Sequence, residues 1–172
     1  MALSTAIPAF AADKYDWTSG GSWDAITFKI KGTKLWGTCM EAGADISDDK
    51  GKCYMTKVAN DSLWARAVYW MVYEENYYDK DDDRSQAVKC TLQYMAGGSS
   101  KEYLKEHYKA AYDAAEERLK DVPSAAAPDN FEMYLCQNLE DDGKAQDFAV
   151  WYYTPTGFLK LQKVSGNTGI SG

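Results

Sequence analysis

The chain has 172 residues, with 19 Lys and Arg against 26 Asp and Glu, giving a net charge of −7 and a pI near 4.7. That balance excludes a phosphate-backbone binder, whose affinity comes from clustered Lys and Arg displacing counterions, and no apolar run approaches the roughly 20 residues that span a bilayer. His107 is the single histidine beside 13 Tyr, 6 Trp and 4 Cys, so a multi-histidine metal centre is excluded and neither metal nor cofactor is expected.

In chain order, residues Leu3 to Ala12 form an apolar stretch in which Ala9 and Ala11 have the A-x-A spacing of a signal-peptidase site. Residues 1–12 therefore read as a signal-peptide remnant, and export would place the cysteines where disulfides can form. Ile26, Phe28 and Ile30 alternate at period two, and Lys34 to Met40 continues after a turn at Gly32, so both segments read as strands. Leu63, Ala67, Val68, Met71 and Val72 then recur at helical spacing behind Asn60, Asp61 and Ser62, any of which can cap. A second helix is predicted over Arg84 to Met95, ending at Gly97 and Gly98. A third begins at a Ser99–Glu102 capping box and carries the stripe Leu104, Tyr108, Ala111, Ala115 and Leu119 up to Pro123.

Period two returns at Phe131, Met133 and Leu135; Asp142-Gly143 signals a turn, and Phe148 to Tyr153 and Phe158 to Leu161 read as further strands. Strands, then helices, then strands predict an α+β domain over residues 13–162: a β-sandwich or barrel built from both chain ends, with a helical insertion over about residues 60–122. Residues 163–172 turn small and polar, the composition of a linker to a following domain.

Several groups invite a chemical reading. The acidic run Asp79 to Asp83 lacks the glycine and the closing glutamate of a calcium loop and reads as a solvated connection. His107 has no local sequence that would pair it with a cysteine as a peptidase base. Tyr69, Trp70, Tyr73, Tyr77 and Tyr78 read either as a ligand platform or, preferably, as helix-to-sheet packing. The four cysteines differ in setting: Cys39 closes an early strand, Cys53 lies near a Gly-Lys turn, Cys90 is inside the second helix and Cys136 is in a late strand.

Three segments together resemble the thioester domains at the N-terminal tips of Gram-positive surface adhesins and pilus tip proteins. Thr38-Cys39-Met40-Glu41-Ala42-Gly43 is similar to the family's cysteine segment, and Ser85-Gln86-Ala87-Val88-Lys89-Cys90 stands where the family has Thr-Gln-x-Ala-Ile/Val-Trp on a helix. Gln146 to Tyr152 with Pro155 to Lys160 resembles its closing strands. The resemblance implies an internal thioester between Cys39 and Gln86, with Gln93 and Gln146 as substitute acyl partners. It further implies a cell-wall-anchored, secreted adhesin whose thioester reacts once with a Lys amine of a host surface or matrix protein. Such a protein is a covalent binder and not a turnover enzyme, and stalk domains follow it in the same chain. With Cys39 so used, at most one disulfide is expected among Cys53, Cys90 and Cys136, with Cys53 the first candidate. The alternative is a non-reactive module in which Cys39 is disulfide-bonded and surface aromatics recognise a protein or glycan.

Overall fold

The computed structural model describes residues 13–20, 27–43, 49–77, 83–139 and 146–155. The expected signal remnant, the linker, the turn at Asp142-Gly143, the strand at Phe158 to Leu161, and Tyr78 to Asp82 all lie outside the described residues. Six strands, β1 (Lys14–Gly20), β2 (Thr27–Ile30), β3 (Trp36–Cys39), β4 (Lys50–Lys57), β5 (Phe131–Asn138) and β6 (Phe148–Tyr153), close into an antiparallel barrel in the order β1-β2-β3-β6-β5-β4. Of sandwich or barrel, it is the barrel. Among the described residues, four α-helices follow β4 and precede β5: α1 (Leu63–Tyr69), α2 (Asp83–Ala96), α3 (Gly98–His107) and α4 (Lys109–Asp121).

Strand β6 shows how the two layers meet. Phe148 and Val150 join Trp17, Phe28, Ile30 and Leu35 in one buried cluster, which fills the barrel. Ala149 and Trp151, on the opposite face, join Val68, Met71, Val88 and Leu92 from the helices in a second. Alternation thus sends successive side chains of one strand into two cores, and residues 148–151 are all buried. Within the barrel, the Phe28 and Phe148 rings stack at 4.2 Å and 6°, with Trp17 edge-on to Phe148 at 5.7 Å.

Helix α1 is capped by Ser62, whose Oγ accepts the Ala65 N–H at 3.2 Å; a π-helical turn over Trp70–Glu74 continues it. Tyr69, Trp70, Tyr73 and Tyr77 pack against the helix-side core, as the packing reading of these aromatics expects. Tyr69 and Tyr73 are held un-ionised up to about 12 by desolvation first, with neighbouring tyrosines adding to the effect. Helix α2 ends before Gly97 (φ +73) and Gly98 (φ +49), a left-handed pair that few other residues tolerate.

Three expectations are corrected. The third helix is two helices, broken at Tyr108 (φ −137°, ψ 54°), so Tyr108 leaves the apolar stripe and is 56% exposed. The Ser99–Glu102 capping box does not form: the N-cap is Gly97, no side chain caps it, and the next serine, Ser100, is the one buried. Cys53 is in β4, paired on both sides by β1 and β5, and not in a turn.

Candidate functional site

Strand β3 delivers Cys39 to the end of the barrel, opposite Phe148 of β6. Gly37, two residues earlier, makes this pairing possible. A Cβ there would lie 1.8 Å from the Ala149 carbonyl oxygen and 2.7 Å from Val150 Cα, so only glycine lets β3 approach β6 so closely. Past Cys39 the chain runs over the helices. Gly43, at φ +81, lies beneath the Tyr103 ring of α3, where a Cβ would come within 2.6 Å of ring carbon.

Facing Cys39 is a glutamine of α2. Gln93 Nε2 lies 3.7 Å from Cys39 Sγ and donates to the Glu41 backbone oxygen at 3.1 Å. Both side chains are sequestered, Cys39 at 1% and Gln93 at 4% exposure. The structure therefore brings Cys39 together with Gln93, one of the two substitutes, and not with Gln86. Gln86 is exposed, two turns earlier on the same helix and about 10 Å away along its axis. Gln146 is buried immediately before β6, beside Asp147.

The cysteine segment is tied down on both sides. Met40 N–H donates to the Asp147 carbonyl at 2.9 Å, the Asp147 N–H donates to Glu41 Oε2 at 3.1 Å, and Asp147 Oδ1 accepts the Asn138 N–H at 3.0 Å. From α3, Ser100 Oγ accepts the Ala42 N–H at 2.8 Å and donates to the Met40 carbonyl at 3.0 Å.

Burial dominates the electrostatics. It pushes the Cys39 thiol up, opposed chiefly by the Lys89 ammonium and then by hydrogen bonds from Thr38, its own backbone and Gln93. Burial likewise raises the Glu41 and Asp147 carboxyls above their ordinary range, while the backbone N–H bond each accepts works in the opposite direction. Before any reaction Cys39 is thus kept a protonated thiol, shielded from water.

None of the four cysteines is in a disulfide. The disulfide-bonded Cys39 of the alternative reading is not formed. Cys53 and Cys136 both point into the barrel core, and their mutual hydrogen bond lowers the first thiol's pKa and raises the second's. Their register is diagonal, since Cys53 faces Asn138 and Cys136 faces Met55. Cys90, on α2 one turn before Gln93, is raised mainly by burial.

His107 occupies the exposed last turn of α3, its ring tilted against Tyr103 at 4.3 Å and 3.9 Å from Glu106. Among the described residues no three of His, Cys, Asp and Glu converge as metal ligands would, and no helix is long and apolar enough to cross a membrane.

Sequence reasoning assigned no role to Ser100, Glu41 or Asp147. Glu41 carried the one available signal, a carboxylate two residues beyond the cysteine.

No family model matches the chain, and no curated protein matches it. Among solved structures it is similar to the N-terminal domain of the Streptococcus pyogenes pilus tip adhesin Cpa, at 10% identity and a TM-score of 0.47, over 86% of this chain and 97% of that one. It is also similar to the N-terminal thioester domain of a surface protein from Clostridium perfringens, at 14% identity and a TM-score of 0.49, over 83% of this chain and 100% of that one. Likenesses at this level decide nothing about the site, whose chemistry has to be read from its own geometry.

Proposed function

We propose that the chain is a surface adhesin domain that binds its target covalently, through an internal thioester between Cys39 and Gln93. The observation that carries this reading is the buried Gln93 carboxamide held between Cys39 Sγ at 3.7 Å and the Glu41 carbonyl at 3.1 Å. A thiol and a carboxamide fixed at van der Waals range need no bimolecular encounter, which is worth several kcal/mol of barrier.

In the closing step the Cys39 sulfur attacks Gln93 Cδ. A C–S bond forms, the C–N bond breaks, and the thiol proton departs with the nitrogen as ammonia; the Glu41 carbonyl already accepts a hydrogen bond from that nitrogen. In the capture step a primary amine attacks the same carbon. A C–N bond forms, the C–S bond breaks, and a proton from the amine returns to Cys39 as its thiol. The product is an amide between Gln93 and the partner, and the group is spent, so this is a single-use binder and not a turnover enzyme. A host surface or matrix protein presenting a Lys amine is the partner, and the chain is secreted, anchored at the bacterial cell wall, with stalk domains to follow.

The test is methylamine uptake by four proteins: wild type, Cys39→Ala, Gln93→Ala and Gln86→Ala. Uptake is expected in the wild type and Gln86→Ala and is lost in the other two. Uptake that survives Gln93→Ala and vanishes in Gln86→Ala would return the acyl role to Gln86.

A further inference from the structure

The peptide group joining Glu41 to Ala42 is held at both ends. Its N–H donates to Ser100 Oγ at 2.8 Å, and its carbonyl accepts Gln93 Nε2 at 3.1 Å. No peptide bond in the described chain is cis, and in a trans peptide the N–H and the C=O point in opposite directions. Anchoring the N–H on α3 therefore aims the carbonyl away from α3, toward Gln93 on α2. The same hydroxyl donates to the Met40 carbonyl at 3.0 Å, so one side chain fixes both peptide planes that flank Glu41. Ser100 is 5% exposed, and its one donor and one of its two acceptor sites are committed to this segment.

We propose that Ser100 is a positioning residue for thioester closure, holding the Glu41–Ala42 peptide so that its carbonyl gathers the Gln93 nitrogen that leaves as ammonia. The proposal rests on the Cys39–Gln93 reading above and adds to it a part played by α3. Ser100 exchanges no proton and forms no covalent bond; the thiol proton still goes to the departing nitrogen. Without the hydroxyl, the peptide plane is free to rotate and the carboxamide loses the acceptor that orients it. The segment itself stays in place, because Met40 and Glu41 remain bonded to Asp147, the residue before β6.

The test compares Ser100→Ala, Ser100→Thr and Ser100→Val in the full chain. Thr and Val have nearly the same volume and differ in the hydroxyl, so the pair separates hydrogen bonding from packing even if the Ala variant leaves a cavity that unfolds the domain. Intact mass of freshly purified protein reports the fraction that has lost one ammonia, and circular dichroism melting reports the fold. Ser100→Ala and Ser100→Val are expected to close roughly 10- to 100-fold more slowly, the cost of a misplaced reactant, and to accumulate as the open form, whereas Ser100→Thr closes like the wild type. A purely structural Ser100 would lower the melting temperature and leave the closed fraction of folded protein unchanged, and equal closure in folded Ser100→Val and Ser100→Thr would overturn the proposal. A wild-type protein that never loses ammonia would instead remove the thioester reading, and this proposal with it.

Discussion

Replacing Gly37 with alanine should separate two strands that the site depends on. The added Cβ would stand 1.8 Å from the Ala149 carbonyl oxygen and 2.7 Å from both the Ala149 carbonyl carbon and Val150 Cα. All three are backbone atoms of β6, so no side-chain rotation relieves the contact. Ordinary contact begins near 3.4 Å, and reaching it means parting β3 from β6 by about 1.6 Å, well beyond the fraction of an ångström a packed interior absorbs. Overpacking a core usually costs about 1–3 kcal/mol. Here the ladder from Trp36 to Cys39 would be strained as well, so a loss of about 3 kcal/mol or more is expected in urea unfolding. Because Cys39 follows two residues later, the folded fraction should also show little thioester. A Gly37→Ala protein within about 1 kcal/mol of the wild type, and fully closed, would refute the reasoning.

Two further outcomes follow from the barrel and its rim. Phe28→Ala removes the ring stacked on Phe148 at 4.2 Å in the barrel centre and should cost about 3–5 kcal/mol by chemical denaturation; a loss under about 1 kcal/mol would show that the barrel interior can collapse around the gap. Asp147→Asn keeps the Oδ1 acceptor for the Asn138 N–H and removes a carboxylate whose pKa burial raises above 3.8. A raised folded pKa contributes stability that is present below the unfolded value and is lost as pH rises through the folded value, so the Asn variant should gain melting temperature relative to the wild type as pH climbs out of the carboxylate range; a difference independent of pH would contradict the shift.

Much of this was legible in the sequence, and the exceptions share a cause. Strands β2, β5 and β6 announce themselves by alternation of large apolar residues, and β3 by its continuation from the turn at Gly32. Strands β1 and β4 do not: Trp17 is the one fully buried residue of the first and Cys53 of the second, and both are held by backbone pairing with distant partners that no local window contains. The same closure, β1 on β4, decides barrel over sandwich. The helix break at Tyr108 was hidden because both halves carry helix-forming residues and continue one apolar stripe.

The glutamine that faces Cys39 shows the limit most clearly. Gln86 and Gln93 are seven residues apart, so they fall within about 20° of one another around α2 and share a stripe. Periodicity can identify the stripe but not which turn of it reaches the barrel end, since that depends on where α2 stands along its own axis. Cys39, at the end of its strand, is singled out by the resemblance alone; Ser100 is passed over because its neighbour Ser99 fits a capping pattern that the chain does not use.

The most direct measurement is intact mass and thiol count of the wild-type chain, unfolded without reductant, before and after methylamine. The Cys39–Gln93 thioester predicts a chain lighter by one ammonia with three of its four cysteines open to alkylation, and after methylamine a chain heavier by one amine unit than that closed form, with all four open. A chain at its full sequence mass, with four reactive thiols from the start and no methylamine adduct, would contradict it.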